Sequence, residues 1–267
     1  MAIDDARPEM PQDSMEQRPR AGFWRRFGAL LCDAALVLIP LQIVVAILFA
    51  QTNGAIQGSF GLQTTRCSPL DVLPEGLQPA PPDGFNSIQD CRISLFGLVT
   101  EHNLVVAKTT VTGNSKTSIY QSYSLDANGK PRGGALDVTW IALLSLLAYM
   151  VLMEWSSGAT FGKRATGIRV VDAGDPSRIG IPVGKAVLRQ IAMWIGALPV
   201  LIVQIGALFL IKEAAQLEAL IASRSYILLV VVGGLIAFAW VIWILVSLVK
   251  KRDPIYDRLA KTAVVVK

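Results

Sequence analysis

Charge, histidine and cysteine are all scarce in this chain. Of its 267 residues only 17% are Asp, Glu, Lys or Arg, one is His and three are Cys. So little charge can neither clothe a soluble globular domain nor keep a chain unfolded, which excludes both classes. The single histidine, His102, has no second His, Cys pair or carboxylate cluster at ligand spacing, so no metal site is expected and His102 reads as a lone turn residue. No Ser-His-Asp, HExxH, CxxC, Walker or GxGxxG arrangement stands in a suitable context. The chain therefore reads as a non-enzyme with no catalytic residues and no cofactor.

What it has in abundance is apolar sequence, 52% of residues, with a mean hydropathy of +0.48. A net charge of +5 and a pI near 9.2 would suit nucleic acid only if the basic residues clustered on a polar, aromatic-studded face. Instead, uncharged or nearly uncharged runs of bilayer-spanning length separate them, at 27–50, 138–155, 186–211 and 226–249. Nucleic acid is excluded as a partner, and the lipid bilayer takes its place. In hydrocarbon each run must close its own backbone hydrogen bonds, which gives an all-α membrane core, a bundle of four transmembrane helices. The first run is too long for a signal peptide, and the leader before it carries Asp4, Asp5, Glu9, Asp13 and Glu16, so it is read as a span.

Seventeen of the twenty-five Lys and Arg fall in the leader, in the connection between the second and third runs, and beyond the fourth. The positive-inside rule then puts both termini in the cytoplasm and residues 51–135 outside. The expected organisation is a disordered cytoplasmic tail at 1–20, a first span at 21–50, an extracytoplasmic insert at 51–135, the remaining spans within 136–249 with a cytoplasmic loop at 156–185, and a cytoplasmic tail at 250–267. A further helix is expected at 212–224. Trp24, Trp155 and Tyr256 on one side, and Trp140 and Tyr226 on the other, read as interfacial anchors.

The insert differs in composition from the rest. It is polar and near neutral, with six basic and six acidic residues and six of the fourteen prolines. Runs rich in β-branched residues at 92–99, 104–111 and 117–125, separated by Glu-His-Asn, Gly-Asn-Ser and Asp-Ala-Asn-Gly, predict a small β-meander. A module this poor in apolar residues gains from a staple, and a Cys67–Cys91 disulfide in an oxidising compartment would contribute roughly 3 kcal/mol. Their spacing alone leaves two free thiols open as the alternative. Cys32, in the first span, reads as a small buried packing residue. On the cytoplasmic side, 166–172 and 262–267 are β-prone and predict a short sheet that returns the C-terminal tail to the 156–185 loop.

Ionisable groups at membrane depth are the candidate functional residues. Arg26 and Asp33 are seven residues apart, on one helical face and about 10 Å apart along the axis. A carboxylate that deep in an apolar run costs about 2.5–3.5 kcal/mol unless it faces partners or water. Asp33 is therefore either an ion or proton site or a structural clasp between helices. The candidate partners on the same side are Arg26, Arg189 and the tail acid Asp257, with Lys163 and Arg164 in the adjoining loop. Glu154, at the end of the second run, reads as interfacial.

Three blocks carry a resemblance: Phe23-Trp-Arg-Arg-Phe-Gly-Ala-Leu-Leu-Cys-Asp33, then Gly158-Ala-Thr-Phe-Gly-Lys-Arg-Ala-Thr-Gly-Ile-Arg-Val-Val-Asp172, then Tyr256-Asp-Arg-Leu-Ala-Lys-Thr-Ala-Val-Val265. In that order they resemble the RDD family of bacterial membrane proteins, named for one arginine and two aspartates. The resemblance places the arginine at Arg26 and the aspartates at Asp33 and Asp257, and it leaves the insert uncovered. It implies a multi-pass protein of the bacterial cytoplasmic membrane, with transport of ions or small solutes, cation/proton exchange among them, as the expected role. Four spans enclose little polar volume, so a transport path calls for a homo-oligomer. The competing expectation is a non-enzymatic scaffold whose insert, 51–135, binds another envelope protein.

Overall fold

The computed structural model describes residues 19–61, 63–81, 83–112, 115–210, 220 and 223–267. The tail expected at 1–20, save its last two residues, and most of the helix expected at 212–224 lie outside these. The chain divides into two compact units, Met1–Asp33 with Leu147–Lys267, and Ala34–Leu146. Among the described residues four helical stretches are long and apolar enough to cross a membrane: Phe23–Gln51, Thr139–Ser157, Val183–Ala207 and Arg224–Val249. Leu36, Leu152, Leu228 and Phe238 stand exposed on them, the pattern of a helix whose solvent is lipid.

In chain order the elements are α1 (Phe23–Gln51), β1 (Ile56–Gln57), β2 (Thr64–Pro69), β3 (Ser87–Leu95), β4 (Leu98–Thr112), β5 (Ser115–Ser124), β6 (Leu136–Asp137), α2 (Thr139–Ser157), α3 (Phe161–Ala165), β7 (Ile168–Asp172), α4 (Val183–Trp194), α5 (Leu198–Leu210), α6 (Arg224–Val249), α7 (Ile255–Leu259) and β8 (Thr262–Val266). The third crossing joins α4 to α5 through a 3-10 turn, Ile195–Ala197. Pro199 explains the break. It has no N–H for the helical ladder and is tolerated in the first turn of α5, where an N–H has no intrahelical acceptor.

In the unit that carries both ends of the described chain, β7 and β8 pair antiparallel from Ile168↔Val266 to Asp172↔Thr262. Arg20 adds a bridge to Val265. The two strands bury Ile168, Val170 and Val264 against Ala29 of α1 and Ala186 of α4. Each such aliphatic side chain contributes about 1.5–3 kcal/mol by leaving water. This small core fixes α7, which lies immediately before β8, against α4. Tyr256 of α7 is buried there rather than acting as an interfacial anchor. Cys32 departs from expectation too: it points outward from α1.

In the other unit, β2, β3, β4 and β5 form an antiparallel meander, and β1 pairs in parallel with β6. A disulfide joins Cys67 to Cys91 at directly paired positions of β2 and β3. Ile88, Leu104, Val106, Tyr123 and Leu125 make the core of one sheet face. The Glu-His-Asn stretch does not separate strands. It lies inside β4, because alternation sends His102 inward while Glu101 and Asn103 face the other way, and the turn falls earlier, at Phe96-Gly97. His102 is thus a buried strand residue, 1% exposed, with Nδ1 donating to the Asp126 carbonyl at 2.8 Å and Nε2 2.7 Å from Asp90 Oδ1.

Candidate functional site

The ionisable residues of the first unit gather where α1, α2, α3, α4 and α7 meet. Asp33, on α1, is 1% exposed. Its Oδ1 accepts from the Tyr149 hydroxyl of α2 and the Gly162 backbone N–H of α3, both at 2.8 Å, and its Oδ2 accepts from the Thr160 hydroxyl at 2.5 Å. Thr160 also caps α3, accepting from Lys163 N–H. The fit of α3 onto α1 needs glycine at 162, where a Cβ would sit 2.1 Å from the Ala29 carbonyl oxygen and 2.9 Å from Asp33 Cγ. Every hydrogen-bond donor to Asp33 among the described residues is neutral.

A second set of groups forms an unbroken chain of alternating charge. Arg26 Nη1 donates to Asp257 Oδ2 at 2.7 Å, Arg189 Nε to Asp257 Oδ1 at 2.7 Å and Arg189 Nη1 to Glu154 Oε1 at 2.9 Å, and Lys163 Nζ donates to the same Glu154 oxygen. Asp257 and Glu154 are both fully buried. Five groups from five elements thus carry charges of +, −, +, −, +, and the Asp33 carboxylate brings the sum to zero. Fixed pairing of this kind is what makes buried charge tolerable. Burial pulls the Lys163 ammonium below the usual lysine range, and the Glu154 carboxylate opposes that pull. Burial, reinforced by Asp257, pushes the Tyr256 phenol up.

The two sets share one cavity of about 190 Å³, with Arg26, Asp33, Lys163, Arg189, Gln190 and Tyr256 in its wall. Among the atoms of this cluster, Arg26 Nη2, Glu154 Oε2 and Gln190 Nε2 are buried and meet no hydrogen-bond partner among the described residues. The cavity's remaining wall is apolar, Phe27, Leu30, Met150 and Leu248 included. This is a mostly apolar pocket between membrane-type helices, with the ionisable side chains set into part of its wall.

A family model, the RDD family, matches residues 20–261. The chain belongs to the RDD family. No curated protein and no solved structure matches it. Of the three residues that the resemblance singles out in this RDD-family protein, Arg26 and Asp257 are bonded to each other, while Asp33 is bonded to neither. An ion pair between Arg26 and Asp33 is therefore not what the sevenfold spacing produces. Helical side chains lean toward the N-terminus, so Arg26 reaches back to the Ala21 carbonyl and to Asp257, away from Asp33.

Of the other sequence candidates, Arg189 and Lys163 join the ion chain. Arg164 does not: it turns outward, donates to Ser157 Oγ at 2.8 Å and lies over the Phe161 ring. Glu154 is not interfacial but central, because the α2–α3 turn folds Lys163 back over it and α4 brings Arg189 alongside. Tyr149, Thr160 and Gly162 were not candidates. Thr160 and Gly162 lie within the Gly158-to-Asp172 block that marks the family, and Tyr149 is the lone phenol of an otherwise apolar run.

Proposed function

We propose that this RDD-family membrane protein is a carrier that exchanges a proton or a small cation at Asp33. The supporting observation is the asymmetry between the carboxylates of the cluster. Asp257 and Glu154 are each held by two cations, whereas Asp33, at the same cavity, is held among the described residues by neutral donors alone. Protonating Asp33, or placing a cation beside it, breaks no ion pair. The hydroxyls of Tyr149 and Thr160 can donate to the carboxylate when it is empty and turn their oxygens toward a bound cation when it is occupied. The ion chain stays intact through both states and holds the helices in register.

In this reading the protein lies in the bacterial cytoplasmic membrane with both termini in the cytoplasm and residues 51–135 outside. The distribution of basic residues supports that orientation, and so does a disulfide in the insert, since disulfides persist on the oxidising side. A path across the membrane is completed by a homo-oligomer. Proteoliposome flux tests the proposal: the parent chain moves protons or alkali cations in response to a pH gradient, and Asp33→Asn abolishes that flux while remaining inserted and monodisperse. Absence of flux from the parent overturns it.

A second reading draws on the insert. Phe96 at the β3–β4 turn is 88% exposed, and Val72 and Tyr120 are exposed as well, which suits a module that holds an envelope protein. Deleting residues 60–130 separates the two readings, since flux survives the deletion and partner capture does not.

A further inference from the structure

A second cavity, distinct from the ion cluster, lies between the beginning of α1 and the end of α6. It is a groove of about 810 Å³ whose walls are the apolar side chains of Phe23 and Trp24 and of Leu245 and Val249, with Arg20, Arg25 and Lys251 on its rim. Both helix ends are span boundaries, the depth at which lipid headgroups lie beside acyl chains. From the geometry we infer that this groove is a binding site for an anionic phospholipid, with the acyl chain against the apolar wall and the phosphate at Arg25 and Lys251.

The residues of the groove single out this occupant. Arg25 and Lys251 are exposed and take part in no ion pair among the described residues, so their charges are available to a ligand. Arg20 is committed to Asp253, which its Nη2 meets at 3.3 Å, so the phosphate is left to Arg25 and Lys251. Lys251 adopts a φ of +53°, a conformation a side chain bears at a cost and that glycine or asparagine would adopt more readily. That conformation directs the lysine stem over Gly22, where even a Cβ would come within 4.0 Å of it. Trp24, 78% exposed at the mouth, is the interfacial residue such a lipid would meet first. Among the described residues the lining holds two uncommitted cations, Arg25 and Lys251, and no carboxylate, so charge complementarity selects an anionic over a zwitterionic lipid.

Native mass spectrometry of the full chain released from detergent micelles tests this with three probes: dioleoylphosphatidylglycerol, dioleoylphosphatidylcholine and soluble glycerol phosphate. With roughly a tenfold change in affinity for every 1.4 kcal/mol and about 1 kcal/mol for each basic residue near the headgroup, the glycerol lipid binds about 30-fold more tightly than the choline lipid. The double variant R25Q/K251Q loses that preference while keeping the parent's melting temperature in micelles. The control R164Q/R178Q, which removes two exposed cations elsewhere, keeps it. Equal binding of the two lipids overturns the inference, as does equal loss in the control. Displacement of the lipid by glycerol phosphate at matched concentration marks a simple anion site instead, and a lipid-free dimer broken by R25Q/K251Q marks a second copy of the chain; either overturns it.

Discussion

Arg26 and Asp257 stand 231 positions apart in sequence, yet their side chains meet at 2.7 Å, with Arg189 on the opposite carboxylate oxygen at the same distance. One buried acid thus ties the first membrane helix to the third crossing through a five-residue helix near the chain's end. Substituting Asp257→Ala strips Arg26 of its one salt-bridge acid among the described residues and leaves Arg189 with Glu154 alone, and removing one partner of a buried pair costs about 3–5 kcal/mol. Thermal unfolding of the solubilised protein should show that loss for Asp257→Ala, whereas Arg164→Ala, an exposed cation of the same neighbourhood, should shift the transition by about 1 kcal/mol or less.

The α1–α3 contact offers a sharper steric test. An alanine at position 162 would drive its methyl group into the Ala29 carbonyl and against Asp33. Overpacking of this kind costs about 1–3 kcal/mol or more. Gly162→Ala should lower the yield of monodisperse protein. Gly184→Ala, where an added Cβ meets nothing within 4 Å, should leave yield unchanged. Equal behaviour of the two variants would contradict the close approach.

Acid should loosen the insert at a defined turn. The backbone N–H of Lys130, joined by that of Asn128 and the Asn53 side chain, holds the Asp126 carboxyl below the ordinary aspartate range. With a folded pKa below the unfolded value of about 3.9, the unfolded chain binds more protons in that window, so the turn's stability is present above it and falls as pH drops through it. Hydrogen exchange at Asn128 and Lys130 should accelerate over that interval beyond the intrinsic rate, and Asp126→Asn should remove the pH dependence.

Reduction should act on the same unit by another route. The Cys67–Cys91 bridge closes a loop of 24 positions. Constraining such a loop contributes about 3 kcal/mol. Cys67→Ser with Cys91→Ser should expose residues 60–90 to limited proteolysis in the full chain, and a reductant should have the same effect on the parent. Insensitivity to reductant would show that the strand pairing holds without the bridge.

Much of this architecture was legible in sequence because each feature is encoded locally. The spans announce themselves as long apolar runs, the two β-prone runs at 166–172 and 262–267 do pair, and the family blocks bring together the right neighbourhood. What was not legible was pairing. Spacing put Arg26 and Asp33 on one face of α1, but the rotamer lean of a helical arginine and the return of α7 decide which acid it meets. Glu154 looked interfacial because it ends an apolar run. Only the tight turn through Thr160 and Gly162, which lays Lys163 over it, makes it central. His102 was misread for the converse reason: polar flanks suggested a turn, whereas strand alternation hides every second residue from its neighbours.

The position of Asp257 late in the chain also bears on biogenesis. Ribosomal synthesis delivers Arg26 and Arg189 to the bilayer well before their shared acid exists; Arg189 can meet Glu154 at once, whereas Arg26 must wait hydrated, or in contact with the insertion machinery, until α7 and β8 emerge. The link from Arg26 through Asp257 to Arg189 therefore closes last, and a chain stalled short of residue 257 carries Arg26 without its acid.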